Sequence, residues 1–456
     1  MNRLTETLAR FVHASASAKV PAAAAQIIRT GVIDNIGTML AGRKEPIVEI
    51  VRRHVAARQS KAAEASVLLD QGRAFAADAA LINATSAHAL DYDDVALSGH
   101  PSTVLVPALM AEGEAIGASG ADLIRAYLAG YEVWAELIGR EADSHHLKGW
   151  HPTAVFGTVG GAAAIACLRK LDVLVIRNAL AIAASMAGGL VANFGTMTKP
   201  FHAGRAASSA IEAVRLAMLG MSASADVLEH HAGFLAAVSP KGKVDTDRPA
   251  DTLGKTLRIL DSGLSIKKYP VCYSTHRVID AVIDCAKRED IAAENVASVH
   301  AWIGVAQASM LRNHAPVTGL EAKFSLEFGV ASALVAHAAG LGQLTDAFVK
   351  DARIRDLMPK VSISTTERLC TVDPSFAFTD RVEIRLTDGR TIDSGEIRFA
   401  RGNAKLPLTE SDLRTKFLDC LRDVPQVDAA ALYAQLSALE QVSDLRTLAQ
   451  GAPVPA

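Results

Sequence analysis

The chain has few cysteines and no concentration of charge of one sign. Its five cysteines are far apart and form no C-x-x-C pair, which favours a reduced, cytoplasmic compartment. The 47 basic residues nearly balance the 49 acidic ones, and no long block of either sign occurs. Nucleic acids and anionic membranes require concentrated basic surfaces, so neither is expected to be the main partner.

Long apolar segments are also lacking. The N-terminal stretch MNRLTETLARFVHASASAKV has no continuous apolar run of the signal-peptide kind. It predicts instead an amphipathic helix, whose apolar face is formed by Leu4, Leu8, Phe11 and Val12. The most apolar stretches, residues 158–168 and 179–192, are Ala/Gly-rich and too short or too interrupted to span a bilayer. We therefore expect close-packed core helices and no membrane partner.

Most of the chain has the pattern of helices. Up to about residue 260, apolar residues recur at helical spacing, as in ADLIRAYLAGYEVWAELIG. The pattern changes near Ser265 to alternating, β-branched segments, and it returns to helix after Lys405, with Thr409 as a predicted N-cap. The sequence thus predicts a mainly α protein with a large all-helical domain and a smaller α+β domain. The predicted ranges are 1–264 for the helical domain, 265–400 for the α+β domain and 401–456 for helices that pack back on the first.

The α+β domain has clear strand signals. The segments VASVHAWIG, PKVSIST and RVEIRLTDGRTIDSGEI alternate in polarity. In the last of them, Val382, Ile384 and Leu386 share one face, and Asp388-Gly389 occupies the place of a type I′ hairpin turn. The segment LEAKFSLEFGVASALVAHAAG predicts one helix.

The stretch HALDYDDVALSGHPS, residues 88–102, concentrates titratable groups between two apolar helical runs. It has an ordinary interpretation as a polar helix end, with Asp93 and Asp94 in a turn and Ser102 or Thr103 capping the next helix. That interpretation leaves His100 unexplained. The alternative is a functional site, in which His88 and Asp91, one helical turn apart, share a face.

Further stretches have the same character, namely KGWHPTAVFG, FGTMTKPFHAGR and KKYPVCYSTHR. Each places a histidine or lysine beside proline or glycine at a break in the helical pattern. If these breaks meet, they form a cationic pocket containing His100, His151, Lys199 and Arg205 or Arg277, with Asp91 to polarise a histidine. Such a pocket suits a ligand with several carboxylates. It also suits proton transfer at a carbon next to a carboxylate, because cationic groups stabilise the developing enolate.

Metal-binding patterns are weak in this sequence. The pairs His145-His146 and His230-His231 diverge by about a hundred degrees on a helix, so we expect solvated or capping histidines there. A metal site would have to combine distant histidines with Asp91, Asp93 and Asp94, and no H-x-x-x-H or H-E-x-x-H motif anchors one. We expect neither a metal nor an organic cofactor.

Five motifs, HALDYDD...GHPS, GWHPTAVFGTVGGAAA, TKPFHAGRAA, KKYPVCYSTHRVIDA and EAKFSLEF, resemble in order and spacing those of the MmgE/PrpD family. The resemblance runs over nearly the whole chain and is weakest in the C-terminal part. This family includes 2-methylcitrate dehydratases, cis-aconitate decarboxylases and iminodisuccinate epimerases. The resemblance implies a helical domain with an α+β lid domain, a homodimer, and a cleft between the domains that works without metal or organic cofactor.

The resemblance also implies site residues. The family's catalytic aspartate, two histidines and lysine resemble Asp91, His100, His151 and Lys199. We expect His151 or Lys199 to be the base and the other an acid or carboxylate anchor, while Asp91 orients His100 and His100 binds or protonates substrate. The predicted substrate contacts are Arg205, Lys268, Tyr273, His276, Arg277, Val95 and Phe328.

Two of those positions depart from the cis-aconitate decarboxylase pattern. Val95 and Phe328 stand where the decarboxylase has a threonine and a tyrosine, so two hydroxyls are missing. An unmatched buried oxygen costs about 1–3 kcal/mol, and the substitutions therefore disfavour decarboxylation. We expect a cofactor-independent lyase that abstracts a proton α to a carboxylate of a small di- or tricarboxylate.

Alternatives to that lyase remain. An epimerase of an iminodisuccinate-like substrate would return the proton to the other face of the carbon. A decarboxylase would release carbon dioxide. A non-catalytic helical binding protein would use the polar breaks only as caps, and it predicts that His100, His151 and Lys199 are scattered in space.

Overall fold

The computed structural model describes residues 4–69, 72–370 and 376–449. The chain divides into two compact units, residues 1–264 with 409–456 and residues 265–408. The first boundary falls where the sequence places it, but the predicted boundary at residue 400 is too early. Ile266 N donates to Gly402 O at 2.8 Å, and Gly402 N donates to Leu406 O at 2.9 Å. These bonds tie the segment after residue 400 to the second unit.

The first unit is built mainly of helices. Its first part contains α1 Leu4–Ser15, α2 Ala22–Gly42, α3 Pro46–Ala56, α4 Ala76–Ala89, α5 Pro101–Ile116, α6 Gly120–Ile138, α7 His145–Lys148, α8 Pro152–Leu168, α9 Val173–Met186, α10 Thr198–Met218, α11 Phe234–Val238 and α12 Arg258–Ser262. A short antiparallel pair joins β1 Ala65–Ser66 to β2 Arg73–Ala74. The predicted amphipathic helix is α1, with Leu4, Leu8 and Val12 buried. No helix in the described ranges has both the length and the apolar character needed to cross a membrane.

Helices α4 and α10 approach each other closely because a glycine lies at their contact. A Cβ atom on Gly204 of α10 would lie 2.5 Å from the carbonyl oxygen of Leu81 in α4 and would also collide with the hydroxyl of Thr85. Every residue of α4 is buried, as is every residue of α8. This packing fixes the first turn of α10 relative to the last turn of α4, and both turns carry candidate site residues.

The second unit combines helices with one four-stranded sheet. Its helices are α13 His276–Arg288, α14 Val305–Met310, α15 Gly319–Ala322, α16 Leu326–Ala336, α17 Asp346–Val349 and α18 Ala352–Leu357. Its strands are β3 Val296–Gly304, β4 Val361–Thr366, β5 Arg381–Leu386 and β6 Thr391–Asp393, in the order β4-β3-β5-β6. Strands β3 and β4 are parallel, and the other neighbours are antiparallel. The predicted fold class, mainly α with a smaller α+β unit, is confirmed.

Two local predictions in this unit need correction. The hairpin between β5 and β6 closes through a three-residue loop, because Leu386 N bonds to Arg390 O and Gly389 has a φ of 92°. A type I′ turn was therefore the wrong prediction, although Val382, Ile384 and Leu386 do alternate inward. The single helix predicted over 320–340 is broken into α15 and α16, and the side chain of Ser325 caps α16 by accepting from Phe328 N.

The C-terminal helices complete the first unit. They are α19 Glu410–Cys420, α20 Ala429–Ser437 and α21 Arg446–Ala449. Thr409 is the N-cap of α19, as predicted, and its side chain accepts from Asp412 N at 3.1 Å. Lys416 of α19 forms a buried ion pair of 2.5 Å with Asp34 of α2. The predicted return of these helices to the first unit is therefore observed.

Candidate active site

Three of the four polar breaks converge within the first unit. His88 lies in the last turn of α4, His100 and His151 are the N-cap residues of α5 and α8, and Lys199 lies in the first turn of α10. Proline follows each N-cap histidine and restricts it to non-helical backbone, with φ values of −125° for His100 and −91° for His151. The dipeptide His-Pro thus places each imidazole at the start of a helix.

The helix ends give this region a positive potential. The N-termini of α5, α8 and α10 all lie at the cluster, and a helix N-terminus carries roughly half a positive charge. Lys199 adds its ammonium group, whose nitrogen lies 5.1 Å from the centre of the Phe194 ring. Carboxylates are stabilised in such surroundings.

Asp91 and Lys199 form an ion pair within the cluster. Asp91 Oδ1 lies 2.5 Å from Lys199 Nζ and 3.9 Å from His100 Nε2. Both partners of the ion pair keep 7% of their side-chain surface exposed. The expectation that Asp91 shares a helical face with His88 is wrong, because α4 ends at Ala89 and Asp91 has left-handed backbone with a φ of 52°.

Asp93 is the carboxylate that contacts two histidines. His88 Nδ1 donates to Asp93, with distances of 2.9 and 3.0 Å to its two oxygens. His100 Nδ1 lies 3.0 Å from Asp93 Oδ2. Burial opposes ionisation of Asp93, but His88 and His100 outweigh it and hold the pKa of Asp93 well below its ordinary value. Sequence reasoning treated Asp93 as a turn residue or as one ligand of a weakly supported metal site, and it missed this role.

Asp94 has a structural function. Ser102 N donates to Asp94 Oδ1 at 3.2 Å, and the Ser102 hydroxyl contacts the same carboxyl group and lies 2.8 Å from the hydroxyl of Tyr127. Asp94, rather than Ser102 or Thr103, therefore caps the first turn of α5. Burial raises the pKa of Asp94 well above its ordinary value, which favours the neutral carboxyl group.

His151 is a buried, neutral imidazole. Its Nδ1 lies 3.2 Å from His202 Nδ1, and its ring packs edge-on against Phe194 with 4.8 Å between centroids. Burial and then the charge of Lys199 lower the pKa of His151 well below its ordinary value. The same two causes lower the pKa of His202 to about 4. A neutral imidazole beside a cation is suited to accept a proton.

His146 and His202 also belong to these surroundings, and neither was assigned to the site from the sequence. Burial, followed by the charges of His100 and Lys199, lowers the pKa of His146 to about 3. The neighbouring His145 is buried and packs edge-on against Phe156. The expectation that this histidine pair is solvated or capping is therefore wrong. For His202 a signal did exist, because it follows Lys199 by about one helical turn.

Four groups at the site have metal-ligand chemistry. Donor atoms of His88, Asp91, Asp93 and His100 all lie within 4.8 Å of one another. Lys199 already supplies a positive charge at Asp91, and both oxygens of Asp93 lie at hydrogen-bonding distance from imidazole nitrogens. We therefore interpret the four groups as an acid–base network.

In the second unit, several predicted substrate contacts have partners within that unit. Arg277 Nη1 donates to Ala377 O at 2.9 Å and lies 3.5 Å from Asp380 Oδ1. The Tyr273 hydroxyl accepts from Asn403, and the Tyr273 ring lies 4.9 Å from that of His276. These contacts hold the unit together, and the predicted substrate contacts of these residues stay predictions.

The remaining predicted contacts differ in exposure. The side chain of Arg205 is 43% exposed and pairs with Glu212 at 3.4 Å. Phe328 has no exposed surface and lies in the hydrophobic core of the second unit, with its ring 6.3 Å from that of Phe348. Val95 is half-buried, and Lys268 Nζ lies 5.9 Å from the centre of the Tyr269 ring. The structure gives Phe328 a packing role, and substrate contact by these four residues stays a prediction.

The neutral histidines predict a loss of stability in acid. Burial lowers the pKa of His88 to about 3 and that of His202 to about 4, whereas unfolded histidine titrates near 6.5. Below about pH 6.5 the unfolded chain therefore binds more protons, and the free energy of unfolding falls as the pH falls towards 4. Thermal unfolding midpoints measured from about pH 7 to about pH 4.5 should decrease. The variant His202→Gln should flatten that dependence, and an unchanged slope would contradict the assignment.

The fold and the site define a class: a helix-rich protein with a buried cluster of histidines, a lysine and carboxylates. The chain belongs to the MmgE/PrpD family, because the profile of the MmgE/PrpD N-terminal domain matches residues 6–247 and that of the C-terminal domain matches residues 269–440. Members of this family are enzymes of the dehydratase and decarboxylase type, which supports a lyase-type function for the family.

Curated relatives are cis-aconitate decarboxylases. The chain is 28% identical over 476 residues to the Homo sapiens enzyme, covering 100% of this chain and 96% of that protein. It is 31% identical over 356 residues to the Mus musculus enzyme, covering 74% and 70% of the two chains. An Aspergillus terreus enzyme is 26% identical over 339 residues, with coverage of 69% and 68%.

Proposed function

We propose that this protein is a lyase that abstracts a proton from the carbon next to a carboxylate of a small di- or tricarboxylate. The observation that carries the proposal is the convergence of His100, His151 and the Asp91–Lys199 ion pair in one unit. If the protein were a non-catalytic binding protein that used these residues only as caps, they would be expected to lie far apart. Their convergence counts against this alternative.

Substrate recognition follows from the charge of the site. Lys199 and the N-termini of α5, α8 and α10 attract carboxylates. When a proton leaves the α carbon, negative charge moves onto the adjacent carboxylate as an enolate. The same cationic groups then stabilise the transition state more than the ground state, which is the condition for rate acceleration.

The geometry favours a particular proton-transfer role for each of His151, Lys199 and His100. His151 is neutral because burial and Lys199 lower its pKa, so it can accept the proton. Lys199 is held by Asp91, which suits it to anchor the carboxylate and stabilise the enolate. His100 keeps 11% of its side chain exposed, which suits it to protonate the leaving group. Asp91, predicted to orient His100, is assigned mainly to Lys199.

Two related reactions use the same first step or the same site. An epimerase needs acid–base groups on two faces of one carbon, and the imidazoles of His100 and His151 start two different helices. Decarboxylation is the activity in the names of the relatives. The missing hydroxyl at Val95 counts against it here, whereas Phe328 lies in the hydrophobic core of the second unit and does not bear on it. The homodimer, the cytoplasmic location and the absence of cofactors are further parts of this proposal.

Proton NMR in D₂O tests the proposal directly. The purified protein is mixed with citrate, 2-methylcitrate, cis-aconitate and iminodisuccinate in turn. We expect deuterium to enter the carbon next to a carboxylate of one compound and an alkene product to form. An inverted isomer without an alkene would favour the epimerase, and carbon dioxide release would favour the decarboxylase. If no compound exchanges or reacts, the proposed proton abstraction is rejected for this substrate class.

A further inference from the structure

Asp93 is more deeply buried than the groups that are proposed to react. Its side chain is completely buried, as is that of His88, whereas His100 keeps 11% of its side chain exposed. Asp93 therefore cannot touch a substrate that enters from the exposed side of His100. It reaches the more exposed part of the site through His100, one of the two imidazoles that it contacts.

The contact with Asp93 selects one tautomer of His100. Because Nδ1 of His100 lies 3.0 Å from a carboxylate oxygen, the proton of the neutral ring belongs on Nδ1. Nε2 then carries the lone pair. It lies 3.9 Å from Asp91 Oδ1, the oxygen that pairs with Lys199. The Nδ1 atom does not approach along the ideal hydrogen-bond direction. Such catalytic contacts often align only when substrate binds.

His88 fixes Asp93 from the interior. Its Nδ1 bonds to both oxygens of Asp93, and burial lowers its pKa to about 3, so His88 stays neutral and donates. The backbone of His100 is held from a third side, because His100 N donates to Thr153 Oγ1 at 3.2 Å. A Cβ atom on Gly99 would lie 3.0 Å from that same hydroxyl oxygen, so the close approach requires glycine.

We propose that Asp93 is a positioning residue, anchored by His88, which holds His100 in the tautomer and orientation that make Nε2 the reacting nitrogen. This inference rests on the proposed function in so far as it concerns turnover. The logic is that of a carboxylate that orients a catalytic imidazole without itself exchanging a proton.

A test must account for the charged and titratable groups around His100. They come from α4, the loop before α5, α7, α8 and α10, and are His88, Asp91, Asp93, His146, His151 and Lys199. Asp93 contacts Nδ1 of His100, so its replacement changes the surroundings of that nitrogen and leaves Asp91, His151 and Lys199 in place.

The variant Asp93→Asn is the sharpest change, because the amide keeps the shape and removes the charge. We expect kcat to fall by about 10²-fold with KM changed little. The alkaline limb of the kcat/KM profile, which reports loss of the proton from the His100 imidazolium, should move to lower pH, because the amide no longer stabilises that imidazolium. The substrate is whichever compound of the NMR panel exchanges fastest.

Asp94→Asn provides the matched control. Asp94 is the next residue, is equally buried, and caps α5 through Ser102 without contacting either histidine of the network. Because Asp94 bonds to Ser102 and burial already favours its neutral form, the amide should leave kcat and the pH profile unchanged. An equal effect of both variants would show a merely structural role and overturn the proposal.

Nitrogen-15 NMR of the histidine rings separates this proposal from the proposed function, because it needs no substrate. We expect His100, assigned by comparison with His100→Gln, to carry its proton on Nδ1 in the wild type and to lose that preference in Asp93→Asn. The same tautomer in both proteins would overturn the positioning role even if the enzyme is a lyase. A tautomer lost in Asp93→Asn would support the role even if no panel compound reacts.

Discussion

The variant Lys199→Ala is expected to lower kcat by about 10³-fold or more, which for a slow reaction means no detectable turnover. Lys199 lies at the N-terminus of α10, and its Nζ atom lies 2.5 Å from Asp91 Oδ1. It is the one lysine in the described cluster. Its loss removes both the carboxylate anchor and the charge that stabilises the enolate. Deuterium incorporation and product formation measure the effect.

The same substitution leaves Asp91 without its cation, and an unpaired buried carboxylate can destabilise the fold. The double variant Lys199→Ala/Asp91→Asn removes both charges and should recover the thermal stability of the wild type. Turnover should stay absent in it. Retained kcat in the folded single variant would remove Lys199 from the mechanism.

The variant Lys416→Met is expected to lower the free energy of unfolding by about 3–5 kcal/mol. Lys416 Nζ pairs with the fully buried Asp34 at 2.5 Å, donates to Tyr92 O at 2.8 Å and lies 3.9 Å from the centre of the Tyr92 ring. Methionine fills the volume but leaves the Asp34 charge and the Tyr92 carbonyl without this donor. Denaturant unfolding followed by circular dichroism measures the loss.

Lys241→Met is the matched control for that prediction. Lys241 also pairs with an aspartate, Asp143, at 2.7 Å, but its side chain is 63% exposed. Exposed ion pairs contribute about 0–1 kcal/mol, so the control should unfold at nearly the wild-type denaturant concentration. Equal losses in the two variants would show that burial of the Lys416 ion pair is unimportant.

The convergence of the candidate site residues was predictable from the sequence because local rules and long-range geometry agree there. In GHPS and GWHP the proline fixes a helix start, and the histidine before it is forced out of the helix. Two such helix starts, with His100 and His151, converge with the first turn of α10, which carries Lys199. The helix cap at Thr409 and the alternation in β5 were predictable for the same local reasons.

The roles of the three aspartates could not be predicted from the sequence. Asp91, Asp93 and Asp94 lie in one short loop, and their partners are Lys199, two histidines and Ser102. Asp91 has left-handed backbone, which takes its side chain off the face of α4. No glycine in the sequence signals this conformation. Which carboxylate reaches which partner depends on that loop conformation, and no spacing rule describes it.

The polar break of the second unit shows that this sequence pattern does not by itself identify a ligand-binding site. KKYPVCYSTHR has the same appearance as the breaks at the candidate site, yet Arg277 and Tyr273 have hydrogen-bond partners within their own unit. Basic residues beside proline serve both as ligand contacts and as structural donors. Likewise, the break between α15 and α16 depends on the cap at Ser325, which competes with a continuous apolar helix pattern.

The ion pair between Lys416 and Asp34 has a consequence for the order of events on the ribosome. Asp34 and the loop with Asp91 and Asp93 are synthesised early, whereas Lys416 follows them by most of the described sequence. Until α19 emerges, Asp34 and the Tyr92 carbonyl lack their cationic partner. A nascent chain that stops before α19 therefore contains His100, His151 and Lys199 but lacks the lysine that contacts Asp34 and the Tyr92 carbonyl. We expect the loop with Asp91 and Asp93 to gain this contact only late in translation.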